Sequence, residues 1–104
     1  MEKHTLARDG ARDIRFTGEL IAEVSSHHYE GPRNTRWTEL RLFRTAAGTL
    51  VCHEIGRTIW QGETDRYQVH KADTEADLID LVGTGSLAKD LYDSAGIECV
   101  DEID

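Results

Sequence analysis

The sequence has few of the residues that cross-link or interrupt a chain: two cysteines, one proline and one methionine among 104 residues. Cys52 and Cys99 lie far apart and match no metal-binding or redox spacing, which predicts a reducing cytoplasm and not a disulfide scaffold. No apolar run exceeds four residues, so we expect no bilayer span. Charged and apolar residues alternate from Met1 to Phe16, a pattern that predicts no secretory signal.

The composition is that of one small globular domain. Hydrophobic residues make up 38% of the chain and charged residues 31%, which excludes a disordered or collagen-like sequence. A chain of this length buries roughly 65% of its surface on folding, enough for a core without metal or disulfide. We expect a compact, bacterial-type domain over residues 1–104, with residues 1–12 and 101–104 as frayed tails.

Negative charge is concentrated in the second half of the chain. The net charge is −8. Up to Arg57 there are nine basic and eight acidic residues, whereas from Thr58 onward there are three basic and twelve acidic ones. An acidic surface repels duplex nucleic acid and anionic lipid, so it disfavours both as partners and favours a basic protein surface. The alternative is that the excess of acidic residues only keeps a small domain soluble.

Four segments have the pattern of β-strands. Residues alternate between apolar and polar from Ile14 to Val24, and β-branched, aromatic and leucine residues fill Trp37–Thr45 and Thr49–Ile55. Arg66–Ala72 alternates again, and the turn-forming residues of Ser26–Thr35 predict an exposed connection. The strands follow one another closely enough to form a four-stranded antiparallel meander.

Two helices follow the strands. Thr74 is a candidate N-cap for a first helix containing Leu78, and Ser86 is a candidate N-cap for a second helix. Gly96 suits the left-handed residue that ends this second helix. The sequence therefore predicts an α+β fold, β-β-β-β-α-α, with both helices packed on one face of the sheet. The predicted core contains Ile14, Phe16, Leu20, Val24, Leu40, Leu42, Val69, Leu78, Leu87 and Leu91.

Motifs for cofactors, metals and nucleophiles are incomplete. Gly83–Ala88 fits a dinucleotide-binding pattern, but eight residues after Gly96 cannot supply the second half of a cofactor sheet. The histidines and cysteines match no metal-ligand spacing, and no serine lies in a nucleophile-elbow context. We therefore predict no cofactor, no metal and no catalytic residue. A small enzyme or metal-dependent protein stays a third hypothesis, with His27, His28, His53 and His70 as its candidate residues.

Arginine and aromatic residues are concentrated around the second predicted strand. If Leu40 and Leu42 face the core, Trp37, Arg41 and Phe43 share the opposite face. Exposed aromatic residues beside arginine are typical of protein-interaction hot spots and also of surfaces that stack single-stranded bases. The alternative is that Trp37 and Phe43 pack internally. The candidate binding residues are Arg33, Arg36, Trp37, Arg41, Phe43 and Arg44.

The first functional hypothesis is a non-catalytic interaction or regulatory protein that binds another macromolecule, with a protein as the favoured partner. In one version, an acidic surface made by Asp77, Asp80, Asp90 and Asp93 occupies the nucleic-acid site of a basic partner. The second hypothesis is a single-stranded nucleic-acid binder that uses the Arg and aromatic residues of the sheet. A homodimer through a sheet edge is a further alternative.

Overall fold

The computed structural model describes residues 1–27 and 35–103, which form one antiparallel sheet and two helices. The strands follow the chain in the order β1-β2-β3-β4-β5. The predicted α+β class is confirmed, but the sheet has five strands where four were predicted. The elements are β1 (Glu2–Leu6), β2 (Ile14–Ser25), β3 (Arg36–Thr45), β4 (Leu50–Thr58), β5 (Arg66–Ala72), α1 (Glu75–Val82) and α2 (Ser86–Ala95).

The additional strand, β1, comes from the segment that was expected to fray. It pairs antiparallel with β2, with Lys3 opposite Thr17 and Leu6 opposite Ile14. In this strand Leu6 alone is buried, because one side of an edge strand faces solvent. A strand with a single buried residue and several charged ones lacks the hydrophobic signal on which sequence-based prediction depends.

A register shift in β2 changes the face that its side chains occupy. The irregularity lies between Leu20, which is opposite Phe43, and Ala22, which is opposite Leu42. An extra residue in one strand reverses the alternation beyond it. Leu20 therefore lies on the face away from the helices and is 46% exposed, whereas Ala22 and Val24 pack on the helix side. The prediction of one continuous buried face along β2 was wrong.

The main core lies between the sheet and the two helices. Leu78 of α1 and Leu91 of α2 are fully buried against Leu42 of β3 and Cys52 of β4. The Tyr92 hydroxyl donates a hydrogen bond to the carbonyl oxygen of Gly83 at 2.6 Å, which links α2 to the end of α1. Both helices cover the same face of the sheet, as predicted.

Of the three residues predicted to begin or end a helix, two have that role in the structure. The Thr74 hydroxyl accepts from the Asp77 N–H at 3.1 Å, and Gly96 has a φ of 73° that ends α2. Ser86 was wrong as a cap, since Gly85 holds the N-cap position of α2 without a side-chain hydrogen bond. In the described part of the chain, neither helix has the length and apolar character needed to cross a membrane.

A second, smaller core lies on the other face of the sheet, which we call the open face. Leu6, Phe43 and Val51 are buried there and pack with Phe16 and Val69. The sheet is curled, and the β1–β2 connection, residues 7–13, reaches over to β5, where Asp9 bonds to Tyr67. We call this connection the strap.

Candidate interaction surfaces

The predicted sheet face is present, but its aromatic residues are not free. Trp37, Arg41 and Phe43 alternate with Leu40 and Leu42 along β3. Phe43 is only 4% exposed, because its ring packs 5.3 Å from Phe16 in the open-face core. The interpretation of Phe43 as a buried residue therefore holds, and this residue cannot act as an exposed anchor.

Trp37 is half-buried and has contacts on both its ring and its indole nitrogen. The ring centroid lies 4.1 Å from that of His27. The indole N–H donates to a carboxylate oxygen of Glu39 at 3.0 Å. Both contacts hold Trp37 against its own protein and reduce the surface that a ligand could stack on.

Arg41 belongs to a row of alternating charges that crosses three strands, which we call the ion-pair ladder. Arg41 lies 2.9 Å from Glu23 of β2 and 3.8 Å from Glu39 of β3. Glu39 in turn lies 3.2 Å from Arg57, which pairs with Asp65 at 2.9 Å. The hydrogen bond from Arg57 is the main cause that lowers the pKa of Asp65. The ladder thus neutralises the charged groups of this face against one another.

Arg36 is paired in a similar way beside an exposed loop. Its guanidinium donates two hydrogen bonds to Glu63, at 3.0 and 2.7 Å, and lies 5.9 Å from the Trp60 ring centroid. These bonds and one from Thr58 lower the pKa of Glu63 to about 2. Trp60 is 54% exposed, with its indole N–H bonded to Thr35. Trp60 was not among the predicted binding residues.

The two remaining predicted binding residues lie apart from this group. Arg44 is exposed and lies opposite Leu50 in the register of β3 and β4. Its position in β3 puts it on the same face as Leu42 and not with Arg41. Arg33 lies outside the described residues. The structure therefore does not bring the six predicted residues together on one surface.

Sequence reasoning missed the carboxylates that pair with these arginines. Glu39 lies two residues from both Trp37 and Arg41, so strand alternation places all three on one face. That spacing was the signal in the sequence that could have identified Glu39 as a neighbour of both side chains.

A cleft of about 590 Å³ lies beside Trp37. It is lined by Arg36, Arg57, Arg66 and Glu63 and so carries charges of both signs.

The predicted acidic residues lie on the two helices. Asp77, Asp80 and Asp93 are exposed and Asp90 is half-buried. With their neighbours they form what we call the acidic helical layer, and Lys89 is its single basic residue. Among the described residues, none of these carboxylates takes part in an ion pair. The carboxylates are Asp73, Glu75, Asp77, Asp80, Asp90, Asp93, Glu98, Asp101 and Glu102.

The histidines and cysteines of the third hypothesis are dispersed. His53 lies on the open face and bonds to the Ala7 carbonyl oxygen, whereas His70 lies on the other face, 3.2 Å from Glu54. Over residues 1–27 and 35–103, no group of three or more possible metal ligands is present. Burial raises the pKa of Cys52 to about 12, so this thiol is not activated as a nucleophile. His28 lies outside the described residues.

Comparison with known proteins adds no relative. No family model matches the chain, and no curated protein or solved structure matches it. The functional argument therefore depends on the geometry and charge described above.

Proposed function

We propose that this protein is a non-catalytic interaction protein whose acidic helical layer binds a basic surface of a protein partner. The observation that carries the proposal is the separation of charge between the two layers. Around the ion-pair ladder, Glu23 and Glu39 of the strands and Glu63 and Asp65 of the β4–β5 loop each pair with an arginine. The helical layer has nine carboxylates and Lys89, and Lys71 of β5 lines a cleft with Asp77 and Asp80; none of the nine forms an ion pair among the described residues.

An unpaired acidic surface suits electrostatic recognition. Like charges on neighbouring helices repel one another, and a basic partner surface relieves that repulsion on binding. Charge complementarity also increases the association rate, and this increase falls as salt is added. Asp77 and Asp80 on α1 and Asp93 on α2 are exposed and available for such contacts.

The same geometry disfavours single-stranded nucleic acid as the ligand of the open face. Arg41 and Arg57 already face carboxylates there, and the Trp37 indole N–H is bonded to Glu39. Phosphate groups would have to displace these carboxylates before the arginines could bind them. Phe43 is too deeply buried to stack a base.

The test compares two variants of equal net charge. Asp77→Asn/Asp80→Asn/Asp93→Asn removes three exposed carboxylates from the helical layer. Glu2→Gln/Asp13→Gln/Glu19→Gln removes three exposed carboxylates from the sheet and the strap, none of which forms an ion pair within the described chain. Each tagged protein is used to capture partners from lysate of its own host, with and without nuclease, over a range of salt concentrations.

We expect a nuclease-resistant protein partner that the wild type and the sheet variant retain and the helical variant loses. Added nucleic acid then tests whether the partner's basic surface is a nucleic-acid site, since competition is expected in that case. Equal retention by all three proteins contradicts the proposal. Equal loss in both variants shows a dependence on net charge alone and also contradicts it.

A further inference from the structure

The strap is joined to the rest of the molecule by hydrogen bonds at two points. The Ala7 carbonyl oxygen lies 2.9 Å from Nε2 of His53. Asp9 binds the outer edge of β5 twice: its N–H donates to the Tyr67 carbonyl oxygen, and its carboxylate accepts from the Tyr67 N–H, both at 3.0 Å. Asp9 therefore occupies the place of one residue of a neighbouring strand.

His53 is buried in a setting that suits the neutral ring and not the charged one. It is 5% exposed and stacks on Tyr67 with ring centroids 5.8 Å apart. Because a carbonyl only accepts, Nε2 carries the proton of the neutral ring, and Nδ1 is left buried without a hydrogen-bond partner among the described residues. A second proton would have to enter at Nδ1, where residues 1–27 and 35–103 place no acceptor.

Charged groups around His53 oppose that second proton. Arg41 lies directly across from it on β3, and Arg57 lies on the same face of β4. Burial lowers the pKa of His53 most, and both arginines lower it further, against a raising effect of the Ala7 carbonyl. Two carboxylates on this side of the sheet are already engaged: Glu39 pairs with both arginines, and Asp9 accepts from Tyr67.

We propose that the strap is a pH-sensitive latch, which detaches from β4 and β5 when His53 is protonated and thereby uncovers the open-face core. The N–H that protonation adds at Nδ1 has no partner among the described residues, so protonation favours an opening that exposes the ring to water. The strap is the segment that bonds to the ring from outside the sheet. Detachment frees the outer edge of β5 at Tyr67 and loosens the cover over Leu6 and Val51.

The helix-covered core does not take part in this opening. Leu78, Leu91 and Tyr92 lie on the opposite side of the sheet and contact neither His53 nor the strap. The opening is therefore local. It is also independent of the proposed binding function, because the acidic helical layer lies on that opposite side.

Hydrogen exchange measured by mass spectrometry near pH 7.5 and near pH 5 tests the latch. After correction for the intrinsic pH dependence, we expect exchange in residues 7–13 and 66–72 to rise about tenfold on acidification, and exchange in α2 to stay unchanged. In His53→Gln the side-chain amide can still donate to Ala7 but cannot be protonated, so the rise should disappear. His70→Gln is the matched control on the other face and should behave as the wild type.

Two outcomes overturn the proposal. If His53→Gln shows the same rise as the wild type, the titrating group is elsewhere, and Asp9→Asn then shows whether it is the strap carboxylate. If exchange rises in α2 together with the strap, the molecule unfolds as one unit and has no latch. If His53→Gln does not fold, NMR titration of the His53 ring in the wild type replaces it, and the ring must titrate over the pH range in which the strap opens.

Discussion

The two sides of the sheet deal with polar groups in opposite ways. On the helix side, Leu40, Leu42 and Cys52 form an apolar surface, and the charges lie beyond it on the outer faces of α1 and α2. On the open side, arginines and carboxylates stand on the strands themselves, next to aromatic rings and His53. The helix side is apolar at its buried centre and carries charge at its exposed positions, whereas the open side mixes charged and aromatic groups in one layer.

The difference shows how a covering layer distributes charge. The buried centre of the covered face is apolar because unpaired charge is costly to bury, and the acidic residues of α1 and α2 lie on the outer side of the helices. On the uncovered face, side chains on adjacent strands lie about 5 Å apart, close enough for Arg41 and Glu23 to pair. The ladder is thus a consequence of strand spacing.

The largest expected effect comes from the helix-covered core. Leu91→Ala leaves a cavity at a fully buried position and should lower the free energy of unfolding by about 2–5 kcal/mol. Leu20→Ala, at a position turned outward by the β2 irregularity, should cost less than about 1 kcal/mol. Urea denaturation followed by circular dichroism measures both. Similar losses would show that the register shift does not separate the two faces.

The second expected effect, intermediate in size, is a difference in stability between variants that lose one carboxylate from the sheet or one from the helical layer. Glu39→Gln removes the charge that lies between Arg41 and Arg57 and should destabilise the fold by about 1–3 kcal/mol. Asp93→Asn, near the C-terminal end of α2, should change stability by less than about 0.5 kcal/mol, because a helix C-terminus disfavours negative charge. The same denaturation measurement applies. An equal loss in both variants would contradict the contrast between a paired sheet and an unpaired helical layer.

The smallest effect concerns an exposed pair. The pKa of Glu63, lowered to about 2 by Arg36, should return toward its ordinary value in Arg36→Gln. A folded-state pKa below the unfolded one means that the stabilisation is complete above about pH 4.5 and is lost as the pH falls toward 2. NMR titration of the side-chain carboxyl measures it. Arg44→Gln, which removes an exposed arginine that forms no ion pair with the described residues, is the control and should leave the Glu63 titration unchanged.

Strand and helix positions were largely predictable, because they depend on local patterns. Alternation located β2 and β5, composition located β3 and β4, and Thr74 and Gly96 marked helix ends through their own backbone requirements. The predictions that were wrong concern features that depend on residues far away in the sequence. The single buried residue of β1 gives too weak a signal for a strand, and nothing in the letters around Leu20 shows that an extra residue reverses the faces of β2.

The residues of the candidate surfaces were predictable from the sequence, but whether their side chains are free to contact a partner was not. Alternation correctly grouped Trp37 with Arg41, and Asp77, Asp80 and Asp93 do lie on helix exteriors. Whether an arginine is free depends on which carboxylate the neighbouring strand brings beside it, as Glu23 does for Arg41. The burial of Phe43 likewise depends on Phe16, which the register of β2 brings next to it.

The hydrogen bond from Tyr92 to Gly83 bears on how the helical layer unfolds. A helix of eight residues such as α1 is too short to persist alone in water. Because the Tyr92 hydroxyl binds the carbonyl oxygen at the end of α1, the two helices share one tertiary contact that neither can keep without the other. They should therefore melt in a single cooperative step, and a stopped-flow trace should resolve no kinetic phase for α1 alone.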